Sequence, residues 1–334
     1  MSKLRCVVLG AGRIGQIHAT NIAQRVTGAE LVAVADVRLD AARELAARLN
    51  APHACADFRE ALDLPLVDTA IVCTPTSTHY DVIMAAAARG LRIFTEKPVD
   101  LDLAKIDLII AEVARRDVPF MVAFQRRYDP DFARVRAVVR EGGVGAVHVV
   151  RITSRDAVPP PESFIPTSGG LFLDMTIHDL DMVRYLTGSE VTGVYAKAAV
   201  LVDPMFARAG DVDTAIITLT LESGALACID NSRQAVYGQD QRAEVFGSRG
   251  MVSSTNHVID RVVRSDEAGS HGSRLMSFFP ERYADAYRLE MQAFIDLVQA
   301  GRPMEVTGHD GRQAVAIALA VQRSAREGRF VSLS

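Results

Sequence analysis

The chain has 334 residues, 49% hydrophobic and 23% charged, which suits about two globular domains with buried cores. Its 37 Lys and Arg against 41 Asp and Glu leave a net charge of −4, so the charge balance gives no footing for a nucleic-acid or polyanion partner. No apolar run approaches the ~18 residues of a membrane helix; the longest, 314–321, is closed by Gln313 and Gln322.

The apolar stretch Cys6-Val7-Val8-Leu9 after Met1-Ser2-Lys3-Leu4-Arg5 is too short for a secretory signal and has no small-residue cleavage site. Cys6, Cys55, Cys73 and Cys228 form no CxxC pair, so a reduced cytoplasmic protein without structural zinc is expected.

Short Val- and Ile-rich runs at 5–9, 30–35, 69–73, 91–95 and 119–124 read as parallel strands buried on both faces. Helical patterns at 14–25, 39–49, 81–89 and 101–116 lie between them, with Asp100-Leu101-Asp102 as a cap before the last. This alternation predicts an α/β fold with a doubly wound parallel sheet. After Phe124 the pattern changes. A helix at 130–140 runs to Gly142-Gly143, a strand follows at 147–154, then Pro159-Pro160-Pro161. A helix at 171–186 starts after Gly169-Gly170. Strands at 191–202, 214–221, 225–231, 242–246 and 251–254 then follow without intervening helices. Glu222-Ser223-Gly224 and Gly247-Ser248-Arg249-Gly250 are hairpin turns, and helices at 284–300 and 311–327 close the chain. The second half therefore reads as α+β with a large, open, mainly antiparallel sheet.

Gly10-Ala11-Gly12-Arg13-Ile14-Gly15 fits GxGxxG between a strand and a helix, and Asp36 ends the next strand about twenty residues on. Gly10 permits the tight turn, Gly12 admits a pyrophosphate to the backbone, and Gly15 packs helix on strand. The diphosphate would meet the helix N-terminus. Asp36 would accept from ribose hydroxyls and repel a 2′-phosphate, favouring NAD over NADP. Arg38 is either a solvated loop residue or a partner for that phosphate. Thr74, Pro75, Ser77 and His79 leave a strand's carboxyl end, where they line a cofactor, cap the next helix, or both.

Glu96-Lys97-Pro98 also follows a strand's carboxyl end, where Lys97 is either a surface residue or points its ammonium into the cofactor crevice to hold a substrate oxygen; the bond before Pro98 is open to either isomer. Asp174, His178 and Asp181, at i, i+4 and i+7, share a helix face. A carboxylate one turn from a histidine suits general-base work; the plainer alternative is a polar face with incidental ion pairs. HExxH is absent and no His/Cys/Asp/Glu cluster has metal-ligand spacing, so no metal is expected; no GxSxG nucleophile elbow occurs either.

Together, the glycine loop followed by His18, Cys73-Thr74-Pro75 with His79, Glu96-Lys97-Pro98, Arg126-Arg127-Tyr128-Asp129, and Gly169-Gly170-x3-Asp174-x3-His178-Asp179 resemble the glucose–fructose oxidoreductase/inositol dehydrogenase/MocA family. The likeness spans nearly the whole chain, to Gly328-Arg329-Phe330-Val331. The runs 168–179 and 231–238 carry it nearest to the family's inositol dehydrogenases. It implies an NAD-binding Rossmann domain over 1–124 and a substrate-binding and oligomerisation domain over 125–334. The open sheet of the second domain would pair copies into a dimer or tetramer, and the last helix would pack back on the first domain.

The activity implied is a reversible NAD-dependent oxidation of one ring hydroxyl of a neutral cyclic polyol, myo-inositol first, to the ketone. Lys97, Asp174 and His178 are the catalytic set that the resemblance implies. In it His178 takes the hydroxyl proton, Asp174 orients His178, and Lys97 hydrogen-bonds the reacting oxygen. Glu96 and Lys97 join the cofactor set, and Arg127, Asp156 and Tyr237 bind other ring hydroxyls. Arg155 stands where some relatives place a histidine. Two readings stay open beside this one: a sibling oxidoreductase on another inositol isomer, a hexose or a sugar acid (with Arg127 pairing the carboxylate), and a catalytically silent NAD-bound regulator. The intact Lys97, Asp174 and His178 argue against the silent regulator.

Overall fold

The computed structural model describes residues 2–333. The chain forms two compact units, one reaching to Tyr128 and taking in Asp285–Val315, the other made of Asp129–Ala284 and the chain from Ala316 on.

In the first unit, β1 (Leu4–Leu9), β2 (Ala29–Ala35), β3 (His53–Cys55), β4 (Thr69–Val72), β5 (Arg92–Glu96) and β6 (Phe120–Ala123) form a sheet in the order β3-β2-β1-β4-β5-β6. Every neighbouring pair is parallel. Residues 6–9, 70–72 and 93–94 are wholly buried, which is why these strands read as unbroken apolar runs. The helices are α1 (Arg13–Gln24), α2 (Leu39–Leu49), α3 (Phe58–Leu62), α4 (His79–Ala88) and α5 (Leu103–Arg115). In α2, Ala42, Leu45, Ala46 and Leu49 make the buried stripe. Asp102 caps α5 by accepting from the Ala104 N–H at 2.9 Å. The short β3 and α3 were not expected: three partly exposed edge residues and a five-residue helix carry too little periodicity to read. Glu96 is the last residue of β5 rather than the first beyond it.

The second unit holds β7 (Val147–Arg155), β8 (Val191–Ala199), β9 (Thr214–Leu221), β10 (Leu226–Ser232), β11 (Asp240–Gly247), β12 (Gly250–Ser253), the exposed hairpin β13 (Val263–Asp266) and β14 (Gly269–Gly272), and β15 (Val331–Ser332). Its main sheet runs β12-β11-β7-β10-β9-β8-β15. Both expected hairpins, β9–β10 and β11–β12, are present. The sheet is mixed, however: β7 inserts between β11 and β10 and runs parallel to β10. Alternation on β9 buries Ala215, Ile217, Leu219 and Leu221 and leaves Ile216 and Thr218 outside.

The helices of this unit are α6 (Pro130–Arg140), α7 (Ile165–Ser168), α8 (Ile177–Thr187), α9 (Pro204–Arg208) and α10 (Phe279–Arg282); then α11 (Ala284–Gln299) belongs, from Asp285 on, to the first unit, and α12 (Gly308–Glu327) begins in the first and ends in the second. The helix expected over 171–186 is not one α-helix. Phe172–Thr176 form a π turn before α8 begins. A π turn carries an extra residue per turn, so the 3.6-residue spacing that would align Asp174, His178 and Asp181 holds only from His178 onward.

Candidate active site

In the first unit the expected cofactor residues gather at the carboxyl ends of the parallel strands, on both sides of β1 and β4, where the strand order reverses. Open α/β sheets bind ligands at such a point. The three loop glycines have different physical reasons. Gly10 sits at φ +103°, and a Cβ there would fall 2.5 Å from the Cys73 carbonyl oxygen. A Cβ on Gly15 would lie 1.8 Å from the Gly10 carbonyl oxygen. Gly12, by contrast, has an ordinary extended conformation (φ −69°), and a Cβ there meets no protein atom within 4 Å. Neither strain nor packing demands a glycine at 12, so the space it leaves open, at the N-terminus of α1, fits a bound pyrophosphate.

Asp36 follows β2. Its Oδ2 accepts from the Ala11 N–H at 2.8 Å and its Oδ1 from the Arg38 N–H at 2.9 Å, which ties the glycine loop to the end of β2. The Arg38 side chain is exposed, with its Nε 3.7 Å from the same carboxylate. A cavity of about 190 Å³ lies here, lined in part by Ala11, Gln16, Arg38 and Arg48. Arg13 is exposed and Ile14 half-buried. After β4, Pro75 and Ser77 are exposed and Thr74 half-buried, with the Thr78 hydroxyl donating to Thr74 Oγ1 at 2.8 Å. His79 is only 1% exposed. Its Nδ1 lies 2.8 Å from the Pro98 carbonyl and its Nε2 2.8 Å from the Thr74 carbonyl. The ring thus bridges the loops after β4 and β5, and burial pushes its pKa down against the pull of those carbonyls, Glu96 and Asp100.

Lys97 leaves β5 half-buried between buried Glu96 and Pro98, and the Lys97–Pro98 peptide is cis. Glu96 turns inward: its Oε1 is 2.8 Å from Nε2 of fully buried His18 on α1, which packs edge-on to Phe94 and Tyr287. The strand carrying Lys97 is thereby tied to the helix that starts at the glycine loop. Arg127 follows β6, and its Nη2 donates to Asp310 Oδ1 at 3.0 Å.

In the second unit His178 lies in the first turn of α8 and is 8% exposed. That turn is pinned from both sides by Asn231 of β10. The Thr176 hydroxyl donates to Asn231 Oδ1 at 2.5 Å, and Asn231 Nδ2 donates to Asp179 Oδ2 at 2.8 Å. The π turn starts beyond Gly169 and Gly170, both at positive φ; a Cβ on Gly170 would fall 2.7 Å from Asp211 Oδ1, the carboxylate that accepts from the Leu171 N–H. Asp174 meets Arg233, whose Nη2 is 2.9 Å from its Oδ2 and whose Nη1 is 3.4 Å from Asp156 Oδ2. Burial opposes the Arg233 charge, but the two carboxylates outweigh it and raise its pKa. Gln239 also donates to Asp156, at 3.1 Å. One guanidinium, 4% exposed, thus joins two of the expected residues, Asp156 and Asp174. Asp181 lies 3.9 Å from Arg184 within α8.

Tyr237 belongs to a separate network. It is half exposed, donates to Asp240 at 2.7 Å and accepts from Arg155 at 2.9 Å, and Arg155 in turn pairs with Asp230. Among the described residues no group of three or more His, Cys, Asp and Glu is placed to hold a metal ion.

A family model described as an oxidoreductase family with an NAD-binding Rossmann fold matches residues 4–124, and one described as the GFO/IDH/MocA C-terminal domain matches 132–253. The chain belongs to the GFO/IDH/MocA family. It is 46% identical to myo-inositol 2-dehydrogenase of Thermotoga maritima over 99% of this chain and 98% of the relative. It is 41% identical to inositol 2-dehydrogenase of Rhizobium meliloti over 99% of each chain. The structure of scyllo-inositol dehydrogenase from Lactobacillus casei with bound NAD(H) and scyllo-inositol superposes with a TM-score of 0.94 at 29% identity, over 99% of this chain and 98% of that one.

Like others of the GFO/IDH/MocA family, the chain is an oxidoreductase acting on CH–OH groups, with NAD as its nucleotide. The open space at Gly12 and the carboxylate of Asp36 fit that nucleotide. Sequence reasoning gave no role to Arg233, Gln239, Asn231 or Asp310. Arg233 and Asn231 stand in the run 231–238 that carried the family likeness, which was the available signal.

Proposed function

We propose that this oxidoreductase converts one ring hydroxyl of an inositol, myo-inositol first, to the ketone, an inosose. The observation that supports this reading is the chain-long 46% identity to a myo-inositol 2-dehydrogenase, on a chain that carries Lys97, Asp174 and His178. Bound NAD supplies the acceptor for the hydride that leaves the carbinol carbon. His178 takes the hydroxyl proton as the C=O bond forms, so the carbinol loses a hydride and a proton in all. Asp174, itself anchored by Arg233, holds the imidazole in orientation. Lys97 donates to the reacting oxygen and steadies the negative charge that builds there. Arg127, Asp156 and Tyr237 meet the remaining hydroxyls. Asp156 accepts, Arg127 donates, and the Tyr237 oxygen, whose proton goes to Asp240, accepts, a mixture suited to a neutral ring bearing both roles at every carbon.

We also infer a cytoplasmic homo-oligomer joined through the open sheet. Half-exposed Leu226 and Phe246 both pair in register with Val149 on β7, which supports such a face. Among the described residues no helix is long and apolar enough to cross a membrane.

Steady-state NAD reduction with myo-inositol, scyllo-inositol, glucose, gluconate and glucuronate tests the substrate reading. An inositol is expected to give the highest kcat/KM, and a deoxy-inositol lacking one non-reacting hydroxyl to lose up to ~10⁴-fold, because polar groups built for that hydroxyl stay unpaired. A sugar acid outperforming every inositol contradicts the reading.

A further inference from the structure

Arg127 is the residue on which the sugar-acid reading turns, since a guanidinium pairs readily with a carboxylate. Its surroundings decide between that reading and the inositol one. Arg127 Nη2 donates to Asp310 Oδ1 at 3.0 Å, and both side chains are largely buried. Asp310 is held in place from its other oxygen: Oδ2 accepts from the Thr307 N–H and from the Thr307 hydroxyl, each at 2.9 Å. The next residue, Gly311, fixes this first turn of α12 against the strand ends, because a Cβ there would fall 2.8 Å from Val99 and 3.3 Å from Val122. Burial pushes the Asp310 carboxyl up, but the Arg127 charge and the Thr307 donors outweigh it and hold it at about 2. Asp310 is therefore an anion at any working pH, and its charge balances that of Arg127.

We propose that Asp310 is a specificity-determining residue: by neutralising Arg127 it leaves a hydrogen-bond donor without a net positive charge, and so selects a neutral polyol over a sugar acid. This rests on the reading that Arg127 meets the substrate. A carboxylate drawn to Arg127 would also approach Asp310, and the repulsion offsets the attraction. A hydroxyl has no net charge to be repelled and can still accept from the guanidinium.

The test uses full-length Asp310→Asn at saturating NAD. Two quantities are read: kcat/KM for myo-inositol, and the inhibition constant of glucuronate against it. Removing one negative charge is expected to raise glucuronate affinity relative to inositol about tenfold or more, with the gain shrinking in high salt. Asp310→Glu is expected to restore the wild-type ratio. Equal losses for both ligands, or an unchanged ratio, would mean that Asp310 only props the turn, and would overturn the proposal. Should Asp310→Asn not fold, Arg127→Gln gives the converse. The acid is then expected to lose more affinity than inositol, because Asp310 is left uncompensated, and an equal loss counts against the proposal. Wild-type enzyme that oxidises no inositol overturns the underlying reading before any variant is made.

Discussion

Replacing His178 with alanine is expected to lower turnover by roughly 10²–10⁴-fold, the usual contribution of a positioned general base, while NAD still binds. The expectation follows from where the residue sits. Asn231 ties Thr176 and Asp179 to β10 on either side of His178, so the ring stands on a fixed turn rather than a mobile loop. Alanine removes the imidazole and leaves both of those bonds intact, so the variant is expected to fold. Single-turnover absorbance at the reduced nicotinamide separates the chemical step from binding. Near-normal turnover would show that another group takes the proton.

Valine at position 12 is expected to abolish tight NAD binding without destabilising the protein. Its backbone conformation suits any residue and its Cβ meets no protein atom, so the side chain would occupy only the space left for the pyrophosphate. Each charge-assisted hydrogen bond lost there is worth about 1.5–3 kcal/mol, or roughly ten- to a hundred-fold in affinity. The same change at Gly10 or Gly15 should instead prevent folding, because the added atoms would strike Cys73 or the Gly10 carbonyl. Calorimetry and thermal melts on the three variants check this contrast. Unchanged NAD affinity in Gly12→Val would remove the nucleotide from this loop.

The nucleotide half of the protein was open to sequence reading because its signals are local. Parallel strands buried on both faces leave Val- and Ile-rich runs, and the glycine loop and Asp36 lie within one strand–helix–strand unit. The second half was less legible. The parallel pairing of β7 with β10 joins residues far apart in sequence and leaves no local trace. The π turn at Phe172–Thr176 escaped because an apolar period near 3.6 was assumed straight through it. Arg233 looks like any loop arginine until folding places it between Asp174 and Asp156, residues from two other segments. Asp310 likewise gains its meaning only from Arg127, 183 positions away.

The central claim is that this chain moves a hydride from an inositol ring carbon to NAD. Incubation with NAD and myo-inositol deuterated at all six ring carbons, followed by mass analysis of the nucleotide and of the ketone product, tests it most directly. The account predicts reduced nucleotide carrying one deuterium, an equal amount of inosose, and neither product from the His178→Ala variant within the same time. Unlabelled nucleotide, or no inosose from wild-type enzyme that still binds NAD, would contradict it.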